Sequence, residues 1–344
     1  MITANSFGKL PDGREVTMYT IPNCKGEYVE ILNYGACIHS IFVRDRQGKI
    51  GDVLMGVTDA SELANRSFEG TMIGRVGNRI AYGRCAIDGQ PLQLETNHMG
   101  NFLHGASGNY AFRMFTGSID QEANAVTLYC LDTGEGGWGN NVDVWMTYAF
   151  NDRSELILRY RLVPDAATAL SPTNHAYFNL ADYSDAMEHV LQIHASYTAR
   201  KGENGVPMGG LQPVADTPLD FTAPRKIGEA MASDPSFFKG PRKVFDDFYV
   251  RDEHGWGIAA ELYAPSTGRR MKVLTDMQSV IFFTPDKCPM RKGKRGITYP
   301  FYGGICLETQ YVPNAVNLPE FDSPVFHAGE AMESTTVYAF SVDG

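Results

Sequence analysis

The chain has 344 residues, 43% of them hydrophobic and 20% charged, with a formal net charge of −10. That composition fits a globular protein able to bury a large core, and the acidic balance argues against a nucleic-acid or anionic-membrane partner. The first residues lack a basic region followed by an apolar run, and no stretch approaches the roughly 20 apolar residues of a membrane helix.

The expected elements are strands almost throughout. Arg14 to Ile21 and Tyr28 to Tyr34 come first, joined by the turn Asn23-Cys-Lys-Gly26, and Cys37 to Val43 follows, ending in Asp45-Arg-Gln-Gly48. Ser61-Glu-Leu-Ala64 favours a short helix from Asp59 to Ala64. Asp88-Gly89 marks a hairpin between residues 83–87 and 92–94. From Val142 to Phe150 and from Glu155 to Val163 apolar residues alternate with polar ones, the period-two pattern of half-buried antiparallel strands. His189 to Thr198 reads as one strand and Gly202 to Gly210 as a loop. Asp220 to Arg242, broken by Pro224, Pro235 and Pro241, reads as a surface excursion. Ala259–Ala264 and Arg270–Thr275 form a hairpin, and Ser279–Thr284, Gly304–Thr309 and Thr335–Val342 close the series. No repeat, linker or long helical periodicity interrupts it. The fold class is therefore all-β, a large and mostly antiparallel sandwich, with residues 1–344 read as a single domain.

Cys24, Cys37, Cys85, Cys130, Cys288 and Cys306 form no CxxC pair and match no zinc spacing. Several lie in apolar runs, which suggests buried thiols and a reduced, cytoplasmic setting.

Five patches could carry chemistry. Gly74-Arg75-Val-Gly-Asn78-Arg79 offers close backbone approach and guanidinium forks, or is a turn with a surface arginine. His104, in Asn101-Phe-Leu-His-Gly105, and His175, in Ser171-Pro-Thr-Asn-His-Ala-Tyr-Phe-Asn-Leu180, each sit beside Asn or Gly. Either could be a proton donor, a ligand or a satisfied core group. Asp246-Asp247 between aromatics could bind sugar hydroxyls or a cation, or be a solvated strand start. Glu308 lies in Gly303-Gly-Ile-Cys-Leu-Glu-Thr-Gln310, on one strand face with Cys306 and Gln310. That face is either solvated or a buried site in which desolvation raises the carboxyl pKa, as suits a general base. No set of neighbours completes a metal loop, so no metal is expected.

Taken together, the 74–80, 103–105 and 173–180 segments, with Cys306 to Gln310 followed by Pro313-Asn-Ala-Val-Asn317, resemble the aldose 1-epimerase (galactose mutarotase) family over nearly the whole chain. The resemblance implies a mutarotase-like β-sandwich with an open hexose cleft, and interconversion of α and β anomers of free aldoses of the galactose or glucose type. It implies no cofactor, a small-molecule sugar as the partner, no nucleic acid or membrane, and a monomer or homodimer. It assigns Glu308 as base, His175 as acid, His104 as second active-site histidine, Asn78 with Arg79 as the sugar-binding pair, and Asp246 as the carboxylate for ring hydroxyls. The chain departs from the family's usual pattern at Ile281, where a sugar-contacting glutamine is usual, at Asp247, and at Ala106. Rival readings are an enzyme for another aldose or a phosphosugar, with Arg291, Lys292, Lys294 and Arg295 as a cationic rim, a glycoside hydrolase pairing Glu308 with Asp246, and a non-catalytic sugar-binding protein.

Overall fold

In the computed structural model residues 1–64, 68–202, 204–238, 243–285 and 291–343 are described. Three antiparallel sheets carry the fold, which is 47% strand and 9% helix. The first sheet runs in chain order through Thr3–Lys9, Glu15–Pro22, Tyr28–Leu32, Cys37–Arg44 and Ile50–Asp52. The second has nine strands. Its first four are Thr116–Asp120, Ala125–Asp132, Val142–Phe150 and Glu155–Pro164; Met332–Val342 follows, and then Arg269–Thr275, Gly257–Tyr263, Val190–Ile193 and Arg225–Lys226. The third has the order Pro207–Pro213, Tyr197–Lys201, Asp246–Val250, Ser279–Phe283, Cys306–Gln310.

Alternation decides how these sheets stack. Met146, Tyr148, Leu156, Leu158 and Leu162 of the nine-stranded sheet are buried in one cluster with Ile21, Ile31 and Ile41 of the first sheet and Tyr249, Phe282 and Leu307 of the third. The inward faces thus meet in one core, as expected of packed β layers. A hydroxyl contact of 2.6 Å between Thr309 and Thr336 ties the third sheet to the nine-stranded one.

Three expected elements change. The stretch His189 to Thr198 is two strands in different sheets, Val190–Ile193 and Tyr197–Lys201. The break falls where the Ser196 N–H and hydroxyl donate to the Asp252 carboxylate at 2.8 and 2.9 Å, turning the corner between sheets. The expected loop after Gly202 becomes the edge strand Pro207–Pro213, whose prolines are tolerated because an edge needs donors on one side only. The excursion after Asp220 contains the helix Ile227–Ser233, and Phe221, Ile227 and Ala230 are fully buried; residues 239–242 lie outside the described residues. Cys37, Cys85, Cys130 and Cys306 are buried, Cys24 is exposed, and no disulfide occurs among the described residues. Cys288 lies outside them. No described helix is long and apolar enough to cross a membrane.

Candidate active site

Register in the third sheet sets the floor of the site. Asp246 pairs with Phe283 and Phe248 with Ile281; across the next ladder Phe283 pairs with Cys306 and Ile281 with Glu308. Paired residues in an antiparallel ladder share a face. Asp246, Phe283, Cys306 and Glu308 therefore lie on the side away from the Tyr249, Phe282 and Leu307 core. That side is covered by loops. Glu308 is only 2% exposed.

The covering loops are held by pairings two residues long. Thr173–Asn174 pairs with Met72–Ile73, and the His175 N–H donates to the Thr71 carbonyl at 2.9 Å. Arg79–Ile80 pairs with Phe102–Leu103. Beneath them Arg75 is fully buried and bonded to Asp132 at 2.9 Å and to Asn140 and Thr168, with its guanidinium over Trp138. Arg75 thus anchors the glycine-rich loop, and its neighbours Asn78 and Arg79 face the cleft. Asn78 and His104 take left-handed backbone angles, φ 57° and 55°. Non-glycine residues adopt that region rarely, and it recurs at functional sites.

All six expected residues are linked by close contacts. His175 Nε2 lies 3.6 Å from Glu308 Oε1, both side chains buried. The His104 ring stands 5.5 Å from the His175 ring at 70°. Asn78 donates its backbone N–H to His104 Nδ1 at 3.1 Å. Arg79 Nη1 is 3.3 Å from Asn78 Oδ1 and 3.5 Å from Asp246 Oδ2, which brings the sixth residue in. Of the two aspartates, Asp246 meets Arg79, while the buried Asp247 is ion-paired with Lys201 at 2.5 Å. Ile281 is fully buried in an apolar cluster with Phe248 and Val312, so here that position packs rather than reaching the cleft.

Burial dominates the electrostatics. It pushes the Glu308 carboxyl up to about 8, with Asp246 adding to the rise and Arg79 opposing it. It pushes the His175 imidazole down to about 4, with the ring's hydrogen bond to its own backbone and the Asp246 carboxylate acting upward. His104 is driven well below the ordinary histidine range by burial, by His175 and by Arg79. It is therefore neutral, and because its Nδ1 accepts from Asn78, its proton is on Nε2.

Other groups complete the site. Tyr177 stacks on His175 with centroids 5.0 Å apart, and Phe283 and Phe68 lie at 6.0 Å. These rings supply the low-polarity surround that lowers the imidazole. Gln310, on the Glu308 face, is fully buried and neither amide atom has a hydrogen-bond partner among the described residues; the same holds for Glu308 Oε2 and Arg79 Nε. The alternation placing Gln310 beside Glu308 was visible, but its burial depends on loops distant in sequence.

A family description, aldose 1-epimerase, matches residues 17–339. The chain belongs to the aldose 1-epimerase family. It is 32% identical over 346 residues to the galactose mutarotases of Rattus norvegicus and Homo sapiens, covering 99% of both chains in each case. It is 28% identical over 340 residues to the aldose 1-epimerase of Escherichia coli K12, with 96% of each chain covered. Among solved structures, an aldose epimerase homologue from C. elegans superposes with a TM-score of 0.87 at 24% identity, covering 95% of this chain and 99% of the other. A galactose 1-epimerase from Lactobacillus acidophilus gives 0.86 at 24% identity, with 100% and 99% covered. Those likenesses establish the mutarotase-like β-sandwich. As a member of the aldose 1-epimerase family the protein is an isomerase acting in carbohydrate chemistry.

Proposed function

We propose that this epimerase interconverts the α and β anomers of free hexoses of the galactose or glucose type, with Glu308 as base and His175 as acid. The observation that carries the proposal is the buried 3.6 Å approach of His175 Nε2 to Glu308 Oε1. Burial places the two groups' titrations on either side of neutrality, so the pair holds a single proton between about pH 4 and 8.

In the free site burial favours the neutral arrangement, with that proton on Glu308. Sugar hydroxyls entering beside Arg79 and Asp246 supply the hydrogen bonds that a charged arrangement needs. The proton then passes to His175, leaving a carboxylate toward the C1 hydroxyl and an imidazolium toward the ring oxygen. Glu308 takes the hydroxyl proton, C1=O forms as the C1–O5 bond breaks, and O5 takes the proton from His175. Rotation about C1–C2 presents the other aldehyde face. The O5 hydroxyl then attacks C1, its proton returns to His175, and Glu308 reprotonates the new C1 oxygen. Electrons and protons balance without a leaving group. The neutral His104 offers its Nε2–H to the oxygen on which negative charge develops. Asn78, Arg79 and Asp246 hold the remaining hydroxyls, and the unpartnered amide of Gln310 and Nε of Arg79 are further donors of the kind a polyol satisfies.

The phosphosugar alternative finds less support. Lys294 is buried with its ammonium 2.7 Å from Asp52, and Arg295 is 3.1 Å from the same carboxylate with its guanidinium over Phe42. Two of the four cations expected to greet a phosphate are thus neutralised; the Arg291 side chain lies outside the described residues. The test is polarimetry of freshly dissolved α-D-galactose and α-D-glucose with purified protein. Acceleration of either is expected, and inactivity on a wide panel of free aldoses would overturn the proposal.

A further inference from the structure

The mechanism above leaves one buried group at the site without a task. Cys306 shares the Glu308 face, is fully buried, and places Sγ 3.5 Å from His175 Nδ1. One nitrogen of His175, the Cys306 sulfur and one oxygen of Glu308 all lie within 4.8 Å of one another. We propose that these three side chains form a binding site for a thiophilic divalent cation of the Zn²⁺ type, and that such an ion shuts the enzyme by occupying its acid and base together.

Three arguments support this. The donor set is imidazole, thiolate and carboxylate, a combination that suits Zn²⁺ and Cd²⁺ and excludes Mg²⁺ or Ca²⁺, which take oxygen ligands. The spacing is close to what is needed. Donors about 2.0–2.3 Å from one tetrahedral ion stand roughly 3.3–3.8 Å apart. The His175–Glu308 separation of 3.6 Å already meets that, and a sulfur shift of roughly 1 Å is within a side-chain torsional adjustment. Charge also balances. A dication with one thiolate and one carboxylate is neutral, so the buried pocket holds no net charge, which in low dielectric is the inexpensive state. Cys306 releases its thiol proton and Glu308 its carboxyl proton to solvent on binding. Glu308 Oε2 has no hydrogen-bond partner among the described residues, so no bond seen there resists the turn toward the ion. His104 is not a fourth ligand, because its Nδ1 lone pair is used by Asn78 and its Nε2 carries hydrogen; the remaining position is left to solvent.

Competition with sugar rests on the function proposed above, whereas binding itself does not. Metal-free protein is first assayed by polarimetry, which tests that reading alone. Cd²⁺ is then titrated while the near-ultraviolet thiolate-to-cadmium absorption is followed, and Zn²⁺ inhibition is measured at several galactose concentrations. In the wild type the expected result is a cadmium band, erased by chelator, and Zn²⁺ inhibition competitive with galactose, with no effect of Mg²⁺. In Cys306→Ser the band is lost and the Zn²⁺ inhibition constant rises at least about tenfold, each protein being referred to its own uninhibited rate. A band absent from the wild type overturns the inference. So does a band that persists unchanged in Cys306→Ser, which would place the ion on another thiol such as the exposed Cys24. If Cys306→Ser does not fold, proton NMR of the wild-type histidine rings decides the matter. A Zn²⁺-induced change in the His175 signals supports the site, and unchanged His175 signals refute it.

Discussion

Glu308 is a carboxyl group whose surroundings oppose its charge, and that has two separable consequences. The first concerns rate: Glu308→Gln and His175→Asn should each reduce mutarotation about 10²–10⁴-fold while circular dichroism stays unchanged. The second concerns stability. Because folding raises this carboxyl to about 8, the folded chain keeps a proton that the unfolded chain releases near pH 4.3. The associated stability is complete in acid and is lost as pH rises through about 8. Glutamine has no such proton to lose. Glu308→Gln should therefore raise the melting temperature, with a gain that grows from pH 5 to pH 8 and reaches the order of a few kcal/mol. A gain independent of pH would contradict this. His175 has the opposite sign: its pKa is lowered to about 4, so its contribution is present above the ordinary histidine value and is lost as pH falls toward 4. In the proposed mechanism the active form is the singly protonated pair. A plot of kcat/KM against pH should be bell-shaped, with limbs near 4 and 8.

The supporting segments act as elements rather than as single groups. Gly105 follows His104 at φ +90°, and a Cβ there would meet the Gly74 carbonyl oxygen and stand 2.8 Å from Asn109 Cα. Gly105→Ala should cost about 2 kcal/mol, checked by urea unfolding, and should lower kcat because His104 moves with the backbone. Lys294 does the same kind of holding at a distance from the chemistry. Its buried pair with Asp52 docks the 294–296 turn on the first sheet, so Lys294→Met should cost about 3 kcal/mol and leave kcat unchanged. These two cases also show what sequence could reveal. The long strands Val142–Phe150 and Glu155–Pro164 were legible because a single period runs through eight or more residues. Thr173–Asn174 with Met72–Ile73 and Arg79–Ile80 with Phe102–Leu103 were not, since two-residue pairings have no period to detect. The site residues stood out as unusual types in those irregular stretches. Whether Asp246 or Asp247 faces the cleft, and whether the Glu308 face is wet or dry, depended on which loops fold over which ladder.

At the scale of the whole molecule, the two halves of the nine-stranded sheet are joined by Met332–Val342, which lies between Glu155–Pro164 and Arg269–Thr275. That central strand follows every other described strand in the chain. During synthesis Glu155–Pro164 must wait for a neighbour made roughly 170 residues later, on the order of 10–30 s at about 5–20 residues per second. Over that interval the Glu155–Pro164 edge is open, joined by the Arg269–Thr275 edge once that strand is made, each a template for wrong pairing. Ribosome-held chains ending at residue 331 should remain sensitive to protease, and chains carrying Met332–Val342 clear of the ribosome should become resistant. The middle of the sheet is thus completed only once Met332–Val342 has emerged, and the interval before that is when this protein has most need of a chaperone.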